Sequence, residues 1–202
     1  MATTEARTQA DEPLSPILLD AAAGRLPRWA AAGAPRREHI ARVVALLDEW
    51  ALRAGLDERE RTRWRAAGWL HDALRDADPD ELRAELPAEY RAVPGPLLHG
   101  PAVMERLRPH ADTELCIAVG YHTIGHPGFG LLGQSLYLAD FLEPGRGFLP
   151  GWRATLRARM PQEIGSVLQD VVAARIQHLL QERKPIRPET AAFWSALVAE
   201  AA

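Results

Sequence analysis

Apolar residues recur at helical spacing along most of the chain, and the clearest case predicts an amphipathic helix from about Arg36 to Ala54. Its buried face consists of positions i, i+4, i+7, i+8 and i+11, which are His39, Val43, Leu46, Leu47 and Trp50. The glycine at position 55 ends the pattern. We therefore expect His39 to lie on the buried stripe of this helix, although it is a polar residue.

The other predicted helices are bounded by capping residues and by proline or glycine. Asp57 and Asp112 are suited to helix N-caps, because a short carboxylate accepts a hydrogen bond from a free backbone N–H of the first turn. A proline such as Pro101 fits the first turn of a helix. The predicted helical segments are approximately 14–29 with breaks at Gly24 and Pro27, 57–74, 76–87, one beginning near His99, one from Asp112 to about His122, a run with Leu132, Leu136 and Asp140 on one face, 161–181 and 189–201.

No segment has a convincing strand pattern, so the predicted fold class is all-α, a helical bundle. Residues 1–13 are polar and without period, which predicts a disordered tail. The rest, residues 14–202, is expected to form a single helical domain, since about 190 residues suit one domain better than two.

Composition and charge exclude several classes of protein. A net charge of −3 gives no reason to expect nucleic acid as the main ligand. No apolar run approaches the roughly 18 residues that a membrane span requires. The single Cys116 rules out an internal disulfide framework, and the N-terminus lacks the pattern of a secretion signal. We expect a cytoplasmic protein without membrane or nucleic-acid partners.

Five segments place histidine or aspartate on, or at the end of, predicted apolar helices. They are His39, His71-Asp72, His99, His122 and Asp140. A helical bundle can bring such positions together in its centre, where facing helices commonly supply metal ligands. Imidazole and carboxylate donors without thiolate suit Fe, Mn, Co or Zn more than Mg or Ca. Six side chains exceed the needs of one catalytic ion, and a bridging carboxylate such as Asp72 would allow two.

Each of these residues also has a simpler interpretation. A histidine on an apolar face, such as His39, is often a hydrogen-bonded core residue. His99 fits helix-start chemistry, and His122 fits a helix C-terminus, where the dipole favours a positive charge. Asp140 would suit a loop that follows a helix. The coincidence of all of them in one chain favours the metal site.

The same residues resemble a known family. The order His39, His71-Asp72 and Asp140 is similar to that of the HD-domain metal-dependent phosphohydrolase superfamily, with His99 and His122 added as in its two-metal members. The segments 97–100, 122–125, 138–146 and 186–190 resemble the YqeK-type subgroup, the symmetrical diadenosine tetraphosphate hydrolases. The resemblance covers about residue 36 to the C-terminus.

The resemblance implies a bimetal centre, with iron as the first expectation and Mn, Co or Zn as alternatives. It implies six metal ligands, which are His39, His71, Asp72, His99, His122 and Asp140. It also implies hydrolysis of a dinucleoside tetraphosphate into two nucleoside diphosphates by a metal-activated water. A homodimer is one option for the assembly.

Further residues are candidates for catalysis and substrate binding. Asp72 and Arg75 are the catalytic candidates, although the family usually carries lysine at the position of Arg75, and arginine cannot exchange a proton as lysine can. Lys184 is the only lysine of the chain, so bias in composition also explains Arg75. Its simpler interpretation is a salt bridge to a neighbouring aspartate. The predicted substrate-binding residues are Arg36, Thr123, Gly125, His126 and Arg146.

Two alternative functions stay open at this point. One is another HD-domain nucleotide phosphohydrolase, such as a nucleotidase or an alarmone hydrolase. The other is a non-catalytic helical module that uses the metal for structure. A closed structural site needs only about four ligands, so six candidate ligands favour an enzyme.

Overall fold

A computed structural model describes residues 13–199, and in this part of the chain every regular element is helical. The all-α prediction is thus confirmed. The α-helices are α1 (Pro16–Ala22), α2 (Ala34–Arg53), α3 (Glu58–Leu70), α4 (Pro79–Glu85), α5 (His99–Leu107), α6 (Thr113–Tyr121), α7 (Leu131–Leu142), α8 (Pro150–Arg159), α9 (Ile164–Gln181) and α10 (Pro188–Ala199). Short 3-10 turns at Ala88–Tyr90 and Gly95–Leu97 connect α4 to α5.

The predicted helix starts are confirmed where an aspartate caps the helix. The Asp57 carboxylate accepts the backbone N–H of Glu60 at 2.8 Å, at the start of α3. The Asp112 carboxylate accepts the N–H of Leu115 at 2.9 Å, at the start of α6. These caps fix where α3 and α6 begin, and therefore how far their C-terminal histidines extend into the centre.

The core lies between α2, α3 and α7, with the α5–α6 hairpin packed beside them. Buried apolar residues from α1 through α10 form one contiguous cluster. Its largest fully buried side chains include Trp50, Trp64 and Tyr137. The single-domain interpretation of residues 14–202 stays a prediction.

Two glycines allow the close helix contacts. A Cβ added at Gly68 of α3 would lie 2.8 Å from a methyl carbon of Val44 on α2. A Cβ at Gly100 of α5 would lie 2.5 Å from the carbonyl oxygen of Gly120 on α6. Both positions therefore need glycine, and both lie within a few residues of a predicted metal ligand.

Several boundaries differ from the predictions. Helix α3 ends at Leu70 and not near Leu74, and residues 71–76 form turns, so that His71 and Asp72 lie directly after the helix. Helix α1 is shorter than the predicted segment 14–29. Helix α8 was not predicted, because the segment Pro150–Arg159 contains three arginines and no regular apolar stripe. Residues 1–12 of the predicted disordered tail lie outside the described residues.

The C-terminal helices close one side of the bundle. The Thr190 hydroxyl at the start of α10 donates to the carbonyl of Ile124 at 2.7 Å, and the buried Phe193 packs against Gly125. These contacts attach α10 to the loop that follows α6. Within residues 13–199, no helix is both long and apolar enough to cross a membrane.

Candidate metal centre

Five elements bring all six predicted metal ligands together. Asp140 lies on α7 and His39 on α2, while the other four lie at helix ends: His71 and Asp72 directly after α3, His99 at the start of α5, and His122 directly after α6. Each of the six side chains is buried, with at most 9% of its residue surface exposed. The convergence that the sequence suggested is therefore present in the fold.

All four histidines are held through Nδ1. The Nδ1 atoms of His71, His99 and His122 lie 2.7, 3.1 and 2.7 Å from the carbonyl oxygens of the residues three positions earlier. The Nδ1 atom of His39 lies 3.2 Å from a carboxylate oxygen of Glu143. Because Nδ1 must donate to these acceptors, each Nε2 is left with a free lone pair that points into the centre. This is the arrangement of metal-binding histidines.

The Asp72 carboxylate lies between two groups of imidazoles. Its Oδ1 atom is 3.1 Å from Nε2 of His99 and 3.4 Å from Nε2 of His122. Its Oδ2 atom is 3.7 Å from Nε2 of both His39 and His71. One carboxylate thus faces two sets of nitrogen donors with separate oxygens, as a bridging ligand does.

A second buried carboxylate supports the first histidine. The Glu143 side chain is 2% exposed and contacts His39 through Oε1, while its Oε2 accepts from Nε of Arg42 at 2.6 Å and from the N–H of Gly145 at 2.7 Å. On the other side of His39, Nε2 lies 3.1 Å from Oδ1 of Asp140. Nδ1 of this imidazole is therefore held by one carboxylate, while Nε2 faces a second carboxylate without a hydrogen bond.

The sequence analysis gave no role to Glu143 or Arg42, and both contribute to the site. A signal was available in each case: Glu143 follows Asp140 by three residues and Arg42 follows His39 by three, which is the spacing of neighbours on one helix face. The contact between Arg42 and Glu143 spans about a hundred residues of sequence, so only the fold reveals it.

The electrostatics favour neutral imidazoles at His71 and His99 and ionised carboxylates at Asp72 and Asp140. Burial lowers the pKa of His71 to about 4, and it also lowers the pKa of His99. Burial acts in the same direction on His122, but the hydrogen bond with Asp72 and the charges of Asp72 and Asp140 together outweigh it, and the net pKa is raised. Burial would raise the pKa of Asp72 and Asp140, yet the surrounding histidines hold both well below the usual value. Deprotonated ligands are what a cation requires.

The donor set fits a metal site. The Nε2 atoms of His39 and His71 are buried without a hydrogen-bond partner among the described residues, which is costly unless another group satisfies them. Two groups of three residues place their ligand atoms within 4.8 Å of one another inside each group. One group is His39, His71 and Asp140, and the other is His71, Asp72 and His122. His99 adds a nitrogen 3.2 Å from Nε2 of His122.

Two of the predicted phosphate-binding arginines contact the ligand carboxylates. Arg36 donates to Oδ2 of Asp72 at 2.8 Å, and Arg146 donates to Oδ1 of Asp140 at 2.5 Å. Both arginines therefore stand at the edge of the site. Arg75 is half-buried, and its charge acts to lower the pKa of His99. Its guanidinium has no carboxylate partner within residues 13–199, so the simple salt-bridge interpretation finds no support.

The predicted loop residues separate into one at the centre and two at its rim. The Thr123 hydroxyl lies 3.1 Å from Nε2 of His122, which places it beside the ligands. Gly125 has φ +82°, and a Cβ there would lie 2.3 Å from the Phe193 ring, so it has a packing role. His126 packs on the Tyr121 ring at 4.6 Å. Substrate contacts by Gly125 and His126 stay predictions.

The sequence pattern of the HD domain matches residues 36–145, which is more than half of the chain and contains all six candidate ligands. The chain belongs to the HD domain family. This confirms the family that the histidine and aspartate motifs suggested. The helical architecture and the central cluster of this HD-domain protein agree with that assignment.

Three curated relatives are similar to this protein over more than half of its chain. A protein of Halalkalibacterium halodurans is 26% identical over 173 residues, covering 82% of this chain and 90% of the relative. One of Bacillus subtilis is 27% identical over 168 residues, covering 79% and 88%. One of Staphylococcus aureus is 30% identical over 125 residues, covering 57% and 62%. All three are named symmetrical bis(5'-nucleosyl)-tetraphosphatase.

A solved structure shares the fold. A Clostridium acetobutylicum protein, described as a predicted HD superfamily hydrolase involved in NAD metabolism, superposes with a TM-score of 0.72 at 23% identity. The match covers 83% of this chain and 91% of that protein. At this identity the likeness establishes the shared fold alone.

Proposed function

We propose that this HD-domain protein is a metal-dependent hydrolase that cleaves diadenosine tetraphosphate symmetrically into two molecules of ADP. The observation that carries the proposal is the convergence of four inward-facing imidazoles on the two oxygens of Asp72. The names of three relatives, which are similar to this chain over 57–82% of its length, support the substrate. The reaction consumes one water and breaks one bridging P–O bond at the centre of the tetraphosphate.

The proposed metal ligands are the six predicted residues, with Asp72 between the two ions. Two bound cations would lower the pKa of a water molecule and offset the negative charge of the phosphoryl oxygens. The proposed metal is iron, because a mixed imidazole and carboxylate set without thiolate suits it, with Mn, Co or Zn as alternatives. Metal analysis of protein purified without oxygen tests this, and close to two ions per chain is expected.

The arginines at the rim provide the positive donors for the phosphates. Arg36 and Arg146 each donate one hydrogen bond to a proposed ligand carboxylate, which favours its ionised form and places a positive charge beside the site. Arg75 stands near His99 without a carboxylate partner in the described part of the chain, which leaves its fork-shaped set of donors free for a phosphate. The Thr123 hydroxyl offers a further donor beside His122. Arg75 therefore acts in our proposal as a phosphate clamp and not as an acid or base.

Product analysis tests the reaction directly. We expect metal-loaded protein to convert diadenosine tetraphosphate into ADP alone, measured by ion-exchange chromatography. AMP together with ATP would reject symmetrical cleavage. A panel of nucleotides and alarmones, assayed in parallel, tests the alternative HD-domain hydrolase activities: faster turnover of one of them would replace the proposed substrate.

A variant pair tests the enzyme against a purely structural metal role. Asp72→Asn should retain the helical fold and lose more than 99% of the turnover. The matched control is Asp170→Asn, which removes an exposed ion pair with Arg159 on the surface of the bundle. If Asp72→Asn unfolds the chain while Asp170→Asn does not, the structural role is favoured.

Assembly and location stay predictions. The homodimer can be tested by sedimentation equilibrium of the metal-loaded protein. The cytoplasmic location can be tested by cell fractionation. The proposed partner is a small nucleotide, and weak binding to a duplex at physiological salt is expected if nucleic acid is not a ligand.

A further inference from the structure

A cleft with a volume of about 290 Å³ opens directly beside the metal centre. Thr123 lines this cleft and also contacts Nε2 of His122, so the cleft and the ligand cluster share one wall. The volume lies at the lower end of the range of small-molecule pockets, about 300–1,000 Å³. It suits one nucleoside and is too small for a whole dinucleotide.

Three separate parts of the chain form the walls. Tyr90 comes from the segment between α4 and α5, and Tyr121 comes from the end of α6. Arg187 and Glu189 come from the start of α10. These last two residues lie outside the segment 36–145 that matches the HD domain. The HD-domain segment thus supplies most of the cleft lining, and the start of α10 adds a wall from outside that segment.

The charged groups of the cleft are mostly carboxylates. Glu89 and Glu189 contribute two carboxylates, against the single guanidinium of Arg187. Acidic walls repel phosphate and favour groups that donate N–H or O–H. The nucleoside end of a nucleotide, and not its phosphates, is therefore the part that fits here.

The pair formed by Arg187 and Glu189 is incompletely satisfied. Nε of Arg187 lies 3.5 Å from Oε2 of Glu189, and both of these buried atoms lack a hydrogen-bond partner among the described residues. An ion pair with purely structural function would normally close to hydrogen-bond distance. The Glu189 side chain is 30% exposed and lines the cleft, so its carboxylate can accept an N–H from a bound molecule.

The aromatic residues provide surfaces for a base. Tyr90 is buried, and Tyr121 is half-buried with its ring packed at 4.6 Å against His126. The charge of Glu189 acts on the same His126, so the carboxylate and the Tyr121–His126 pair border one space. Flat aromatic surfaces beside a hydrogen-bond acceptor are the features by which proteins select a base.

From this geometry we infer that the cleft binds one nucleoside of the substrate and that Glu189 selects a base with an exocyclic amine, as in adenine. The inference rests on the proposed function, because that function places the phosphates at the adjoining centre. Arg187 is a positioning residue that orients the Glu189 carboxylate. A base with a carbonyl in place of the amine, such as hypoxanthine, presents an acceptor to this carboxylate and is rejected.

Kinetics with two substrates test the inference. The wild-type enzyme should show a KM for diinosine tetraphosphate about tenfold higher than for diadenosine tetraphosphate, with similar kcat. Glu189→Ala should bring the two KM values within about twofold, mainly by raising the KM for the adenine substrate. The control Glu182→Ala removes an exposed glutamate of the same segment and should leave the ratio unchanged. An unchanged ratio in Glu189→Ala would overturn the inference.

Equilibrium binding makes the test independent of turnover and of the variant's stability. The wild-type protein should bind ADP about tenfold more tightly than IDP in isothermal titration calorimetry, and equal affinities would overturn the inference. If the wild-type protein binds ADP selectively but does not cleave diadenosine tetraphosphate, the proposed function fails while the cleft assignment stands. If it cleaves both dinucleotides equally well, the function stands and the assignment fails.

Discussion

Glu143→Gln is the substitution that most directly tests how the first histidine is held. The wild-type carboxylate accepts from Nδ1 of His39 through Oε1, and from Arg42 and the N–H of Gly145 through Oε2. A glutamine has only one acceptor oxygen, which the charged Arg42 will retain. Its NH₂ group must then face Nδ1 of His39, and two donors cannot pair.

The imidazole of His39 has to respond by changing its tautomer. With a donor opposite, Nδ1 becomes the acceptor and the proton moves to Nε2, the atom that faces Asp140 at 3.1 Å. A protonated Nε2 cannot bind a metal ion. Loss of such an outer partner typically lowers metal affinity or activity about 10–100-fold. Exchanging a charged acceptor for a neutral one should also lower the free energy of unfolding by about 1–3 kcal/mol.

Two measurements check these magnitudes. Metal affinity can be measured by competition with a chelator of known affinity, and the free energy of unfolding by urea titration of the metal-free protein. The control Glu49→Gln removes an exposed pair with Arg53 on α2 and should change stability by less than about 0.5 kcal/mol. If Glu143→Gln binds metal within twofold of the wild type, the tautomer argument is refuted.

Three further predictions follow from single contacts. Gly125→Ala should destabilise the fold by about 2–4 kcal/mol in urea titration, because the added Cβ would clash with the Phe193 ring and because φ of residue 125 is +82°. The control Gly165→Ala, in the open first turn of α9, should stabilise the fold slightly. Cys116 is buried, and burial raises the pKa of its thiol to about 11. At pH 8 this thiol should therefore react with Ellman's reagent about tenfold more slowly in folded than in urea-unfolded protein, and the rate in the folded protein should rise toward pH 11. Removing the metals with a chelator should lower the melting temperature, because Asp72 and the other proposed ligands form a binding site only in the folded state. An unchanged melting temperature would contradict the metal centre.

The cluster of histidines and aspartates could be predicted because the signals of its residues are local. His39 falls on a helical stripe, and His99 and His122 stand at helix boundaries set by proline, glycine and a capping aspartate. A polar residue on an apolar helix face needs a polar partner or a cation. Several such residues in one small bundle therefore suggest a shared partner, such as a metal ion. Local periodicity and capping were therefore enough to identify the residues of the cluster, but not to predict the distances between their side chains.

The supporting residues escaped prediction because their partners are distant in sequence. Glu143 contacts Arg42 and His39 on α2, about a hundred positions earlier. Helix α8 was missed for a related reason, since one of its inward-facing residues is an arginine. The Arg153 guanidinium lies over the Phe141 ring, 4.1 Å from its centroid, and is buried by that tertiary contact. A search for apolar periodicity treats arginine as a surface residue and therefore does not detect a helix that buries one.

In our proposal, the C-terminal segment connects the metal site to the cleft that selects the base. Thr190 and Phe193 fix α10 to the loop directly after His122, so that Arg187 and Glu189 are held beside the ligand cluster. A substitution that loosens α10, such as Gly125→Ala, should then raise the KM for the adenine substrate while metal content stays unchanged. Measuring both in one variant separates the two functions of the fold, because a defect in the metal centre would lower metal content first.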